Sequence, residues 1–293
     1  MQAVSFYLLY PFIFLIASLP FKALYFASDI LYFLLRLSGY RRKVVLRNLR
    51  NSFPEKSEAE IKKICNDYYS YLCDLVLETL KTLRMTEAEH LERCKFVDHA
   101  NLEELRRENQ SFIIVMGHYG NWEWAGPCFA LNNKHQLVVI YRPLANPYFE
   151  KMLTGMRTRH LLKITAVKNT LRDMVANRRN LTATALVADQ TASRKDAYWM
   201  TFLNQDTAVF TGPEKLAKKF NYPVVYMNVV RTGRGYYTIV AEMLFRHPSE
   251  TSEGEITESF NRRLEKEIVR DPTIWLWSHK RWKHKRHVPE AQH

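Results

Sequence analysis

The residues best suited to chemistry lie in one stretch, Ser111 to Gly126, reading SFIIVMGHYGNWEWAG. His118 is a candidate general base, and Glu123, five positions on, is the only acid in the stretch. On one continuous helix such positions diverge by roughly 140°, and the side chains do not meet. Across a strand-to-helix turn they can. A carboxylate on one ring nitrogen would then fix the tautomer and stabilise the imidazolium while the other nitrogen takes a proton. The same spacing also describes a capped turn holding a hydrogen-bonded histidine, and spacing alone leaves both open. Cys128 falls on the apolar stretch behind the motif, and neither a serine nor a cysteine stands between 117 and 123, which disfavours a covalent acyl-enzyme.

Other polar residues follow apolar runs in the same manner. Arg142 comes after QLVVIY and is fixed by Pro143; it either reaches an anionic group or sits on the surface. Arg157 and Arg159 flank Thr158 in a helical stretch, where alternate residues do not share a face, so one can point to a site while the other points away. Asp189-Gln190 ends TATALVA, and Asp189 could position a substrate or hold an arginine. Thr211-Gly212-Pro213 has the chemistry of a helix start, which is a sufficient explanation of it. The tail WLWSHKRWKHKRH interleaves Trp275, Trp277 and Trp282 with Lys and Arg, a composition suited equally to nucleic acid and to a membrane interface. His279, His284 and His287 lack nearby carboxylates and a common zinc spacing, so no metal and no cofactor is expected.

The elements that must position these groups alternate. From Lys95 onward, apolar β-branched runs (FIIVM, QLVVIY, ITAV, TATALVA, PVVYMNVV) are separated by helical patterns, with a hairpin at TGRG, 232 to 235. Such alternation predicts an α/β fold with a mixed, largely parallel sheet and helices on both faces. In that fold the carboxyl ends of the strands carry the ligand site, and His118, Arg142 and Asp189 all follow strands. Upstream, Ser57 with Glu60 and Thr86 with Glu89 are capping boxes opening helices, the first of them long and amphipathic.

Residues 1–39 are of a different character. Ala3 to Phe21 contains no charged residue, and nineteen residues of helix rise about 28 Å, close to a bilayer's hydrocarbon thickness. Pro11 and Pro20 would kink or divide the span. MQAVS lacks the basic start of a secretory signal peptide, so an uncleaved membrane-anchor helix is expected, with a second half that spans or lies in the interface. Arg41, Arg42, Lys43, Arg47 and Arg50 follow directly and place residues 40–293 on the cytoplasmic side, against anionic headgroups. A net charge of +13 calls for an acidic partner. The four cysteines show no Cys-x-x-Cys pairing, and neither a disulfide nor a structural zinc is expected.

Taken together, GHYGNWE, YRPLANP, the Arg157-Thr158-Arg159 stretch, ADQ, FTGPEKLA and WLWSHKRWK resemble, in that order, the bacterial lipid A late acyltransferases. The resemblance spans nearly the whole chain, RNLRNSFPE at 47 to 55 included. It implies transfer of an acyl chain from an acyl thioester, acyl carrier protein or coenzyme A, to a hydroxyl of a lipid A precursor at the bacterial inner membrane. It implies His118 and Glu123 as the catalytic pair, an important arginine at 157 or 159, and Asp189 as the aspartate of the family's Asp-Gln motif. WMTFLNQDTAVF, before Thr211, departs from the family pattern and bears on acyl or acceptor specificity. The expected mechanism has His118 as base, Glu123 orienting it, and Arg157, Arg159, Arg142, Asp189 and Asn121 as the substrate-binding or oxyanion set. Acylation of another membrane lipid, a membrane-bound lipid or thioester hydrolase, and a membrane-anchored nucleic-acid binder are the rival readings. The last leaves unexplained the polar residues gathered at three strand ends, so no nucleic-acid partner is expected.

Overall fold

A computed structural model describes residues 2–97, 100–160, 162–192 and 197–286. Helices α1 (Gln2–Ser18), α2 (Phe21–Ser38) and α3 (Arg42–Ser52) precede the long α4 (Glu58–Lys81), which Ser57 opens through the expected capping box. A second box at Thr86 opens α5 (Glu87–Arg93). Then come β1 (Cys94–Val97), α6 (Ala100–Arg107), β2 (Phe112–Met116), α7 (Trp122–Asn132), β3 (Gln136–Tyr141), α8 (Pro147–Thr158), β4 (Lys163–Ala166), α9 (Thr170–Ala176) and β5 (Thr182–Val187). The chain continues through β6 (Ala197–Phe202), β7 (Gln205–Phe210), α10 (Gly212–Phe220), β8 (Val224–Gly233), β9 (Tyr236–Phe245) and α11 (Glu255–Arg270).

Seven strands form the main sheet in the order β1-β9-β8-β2-β5-β3-β4. Only the β8–β9 hairpin is antiparallel within it, so the sheet is mixed and largely parallel, as the alternation predicts. All five residues of β2 are buried because strands pack on both its edges and elements cover both faces. The order sets β5 beside β2, with Met116 opposite Val187. Ala188 then donates its N–H to the Met116 carbonyl at 2.9 Å, extending the pairing past the strand end. The segment WMTFLNQDTAVF, not anticipated as strand, forms the separate β6–β7 hairpin, with Leu203 and Asn204 turning at positive φ.

The amino-terminal expectation needs correction. Pro11 is carried inside α1, but Pro20 divides the apolar block, ending α1 at Ser18 and starting α2. Among the described residues no helix is long and apolar enough to cross a membrane, so the expected transmembrane helix is not found. Of α1's residues only Ala17 is buried. Phe6 stacks on Tyr148 and meets Phe149 edge-on, attaching α1 to α8. Helix α2 is two-sided. Inside, Ser28 donates to Asp74 at 2.7 Å, while Phe26, Ile30, Phe33, Leu34 and Leu37 face outward and exposed.

Candidate active site

His118 and Asp189 each lie two residues past the end of a strand, β2 and β5 respectively. Because those strands are parallel neighbours in register, the two side chains meet, with His118 Nδ1 2.6 Å from Asp189 Oδ1. The second carboxylate oxygen accepts the His118 main-chain N–H at 2.9 Å and the Trp275 indole N–H at 2.8 Å. Burial opposes ionisation of Asp189, but the His118 charge and these donors outweigh it and hold the carboxyl down at about 2. An ionised Asp189 fixes the proton on Nδ1 and leaves Nε2 as the basic nitrogen. Nε2 faces Gln190, whose amide nitrogen is 3.3 Å away, and the Trp122 ring packs edge-on against the imidazole.

The carboxylate on the imidazole is therefore Asp189, where Glu123 is expected. Glu123, one residue inside α7, is held instead by Arg157 of α8 through two bonds, Nη2 to Oε1 at 2.6 Å and Nε to Oε2 at 3.1 Å. The two arginines of the 157–159 pair separate as their spacing allows. Arg157 lines the cavity beside His118, whereas Arg159 turns away and donates to the Leu83 carbonyl. Arg142 also lines the cavity. Asn121 does not. It is fully buried as the amino-terminal cap of α7, its Oδ1 accepting from Trp124 N–H and its Nδ2 donating to Glu78. Nor are the turn amides generally available to an oxyanion: His118 N–H serves Asp189, Gly120 N–H serves the Ile274 carbonyl and Trp122 N–H serves the Gly120 carbonyl. Gly120 is required here, because its φ is +62° and a Cβ would lie 2.5 Å from the Val229 carbonyl oxygen.

From this cluster a cavity of about 460 Å³ runs between apolar side chains, among them Ile114, Leu137, Val139, Met156 and Leu162. Its size and lining suit a flexible hydrocarbon with one polar end at His118. Among the described residues no group of three or more His, Cys, Asp or Glu could hold a metal ion, and all four cysteines are free and buried.

The tail carries the largest surprise. Trp275 and Trp277 are buried, and the tail runs against the His118 turn: Leu276 N–H donates to the His118 carbonyl at 3.1 Å. Trp282 donates to Thr207 of β7. Trp275 and Trp277 are thus core residues, buried away from any nucleic-acid or membrane surface, and Trp282 is half-buried against them. His279 accepts from Thr191 and lines the cavity with Lys283; His287 lies outside the described residues. No local pattern marks Glu78 as a site residue, and Trp275, whose neighbours suggest an interface, lies 86 residues from the aspartate it serves.

Residues 1–284 match the family described as bacterial lipid A biosynthesis acyltransferase. The chain belongs to that family. It is 26% identical over 249 residues to the lipid A biosynthesis palmitoleoyltransferase of Escherichia coli K12, covering 83% of this chain and 79% of that protein. A lipid A biosynthesis acyltransferase of Haemophilus influenzae is 26% identical over 253 residues, 85% of this chain and 79% of its own. The lipid A biosynthesis lauroyltransferase of Escherichia coli K12 is 23% identical over 274 residues, 92% of this chain and 88% of its own. This protein is an acyltransferase, and its fold is the mixed α/β sheet described above. The two Escherichia coli relatives are named for different acyl chains.

Proposed function

We propose that this acyltransferase moves an acyl chain from acyl carrier protein to a hydroxyl of a lipid A precursor, with His118 as general base and Asp189 as its orienting partner. The observation that carries the reading is the His118–Asp189 bond at the polar end of an apolar cavity. His118 Nε2 takes the proton of the acceptor hydroxyl as its oxygen attacks the thioester carbonyl carbon. The tetrahedral intermediate collapses by breaking the C–S bond, and the imidazolium returns its proton to the departing sulfur. Products are the ester and the free thiol. Asp189 stabilises the imidazolium formed in between. Arg157, aimed by Glu123, is the cation beside the developing oxyanion, and Glu123 therefore serves the reaction through the arginine.

The exposed apolar faces of α1 and α2 rest in the cytoplasmic leaflet of the inner membrane without crossing it, and the basic residues after Gly39 meet its headgroups. The test is reconstitution of the purified chain with acylated carrier protein and a lipid A precursor in mixed micelles. Mass spectrometry should show the acceptor gaining one acyl group and an equal amount of free carrier thiol. Carrier release without an acylated lipid would mean hydrolysis and would overturn the proposal. Transfer from coenzyme A that is faster, and unaffected by salt, would replace the carrier as donor.

A further inference from the structure

Glu78, in the last turn of α4, is fully buried, and its side chain accepts hydrogen bonds from three neutral donors. Tyr25 Oη–H reaches Oε1 at 2.9 Å, while Tyr237 Oη–H and Asn121 Nδ2 both reach Oε2 at 2.8 Å. Its main-chain carbonyl accepts a further bond, from the Trp124 indole N–H at 3.1 Å. Glu78 thus grips the start of α7 twice, at positions 121 and 124. Burial pushes its carboxyl up, the Tyr237 and Tyr25 hydroxyls draw it back, and nearby Asp74 raises it further. A buried carboxyl of this kind is costly unless its oxygens are occupied, as here.

The hold matters because of where Asn121 stands. An asparagine amide can cap a helix only with its oxygen turned to the helix N–H groups, and an acceptor behind it is what selects that orientation. Glu78 is that acceptor: with Nδ2 on Glu78, Oδ1 must face Trp124 N–H, which it meets at 3.0 Å. Asn121 lies between His118 and Glu123. The turn from 118 to 121 is therefore fastened from two sides, by Asp189 and the tail at its start and by α4 at its end.

We infer that Glu78 is a positioning residue for the reaction, setting His118 and Glu123 by locking the amide of Asn121. The inference rests on the proposed role of His118 as base. Misplacing a base by about an ångström costs on the order of 100-fold in rate, without loss of substrate affinity. A carboxyl is not essential to the task, since a glutamine can turn its oxygen to Asn121 and Tyr237 and its amide nitrogen to the Tyr25 hydroxyl oxygen. A methionine offers neither bond.

The test is a set of variants of the full chain, each assayed for kcat and for KM of the acyl thioester, with thermal unfolding measured alongside. Glu78→Met and Asn121→Asp, which sets a second carboxyl against Glu78, should each lower kcat by roughly 10–100-fold with KM little changed. Glu78→Gln should rescue the position. It should also rescue Asn121→Asp, because the introduced amide nitrogen then donates to the introduced carboxylate. The double variant should return to within about fivefold of the parent, a coupling that independent sites do not show. A double variant as slow as, or slower than, Asn121→Asp alone would overturn the inference. So would a Glu78→Met protein whose folded fraction turns over at the parental rate. Failure of the underlying assignment is distinguishable, because His118→Ala would then remain active whatever the Glu78 variants do.

Discussion

His118 and Asp189 are separated by 71 residues yet share a 2.6 Å hydrogen bond, because parallel neighbours β2 and β5 end at the same level of the sheet. Asp189→Asn keeps the size of the side chain but can present an amide to Nδ1, which disturbs the tautomer and removes the charge that stabilises imidazolium. Turnover should fall by about 10²–10⁴-fold with KM little altered. Glu123→Gln should cost less. Steady-state kinetics of the two variants rank the carboxylates directly, and a larger loss at Glu123 would return the orienting role to that residue.

Glu123 and Arg157 should behave as one unit. Either Glu123→Gln or Arg157→Met breaks the two-bond clamp and should lower kcat/KM by roughly 10–100-fold. The double variant should be little worse than the poorer single one, because each removes the same interaction. Additive losses in such a cycle would show that the two side chains act separately.

Much of this arrangement can be read from residue order, and the part that cannot has a physical reason. FIIVM followed by Gly117 marks a buried strand with His118 at its carboxyl end, and TATALVA marks another ending in Asp189. Which carboxylate meets the histidine depends on β5 inserting between β2 and β3, a non-local pairing that no local pattern encodes. Glu123 is near in sequence but is carried off by α7 toward Arg157. Tail tryptophans look alike whether they face lipid, nucleic acid or core; only the pairing of the tail with the His118 turn distinguishes Trp275 as a donor to Asp189. The α1–α2 break at Pro20 is local and legible, whereas the attachment of α1 to α8 through Phe6 is not.

The cavity wall makes a prediction about chain length. A Cβ on Gly126 would lie 2.9 Å from Leu162 Cδ2 and 4.0 Å from Leu137 Cδ2, both of which line the cavity. Gly126→Leu should narrow the space and shift preference toward shorter acyl donors. Competition between acyl thioesters differing by four carbons, read by product mass, checks this; an unchanged product ratio would place the acyl chain elsewhere.

Two buried histidines predict an acid-sensitive fold. His90 on α5 and His160, just past α8, meet edge-to-face at 4.9 Å, beside Trp124, Glu87, Glu89 and Arg159. Burial and the His160 charge bring His90 down to about 4, against the opposing effect of Glu89. Burial and the Arg159 charge also lower His160. The unfolded chain binds these protons near pH 6.5 and the folded chain resists them. Their effect is therefore absent above about 6.5, and stability declines as pH falls from there toward 4. Thermal melts should show that decline, and His90→Phe should flatten it. An unchanged pH slope in the variant would assign the decline to other groups.

The most direct measurement is the turnover of His118→Ala under saturating acyl donor and lipid acceptor, taken with its melting temperature. Removal of the base should lower kcat by about 10²–10⁴-fold while the protein melts within a few degrees of the parent. A folded His118→Ala protein that acylates its acceptor at the parental rate would contradict the account.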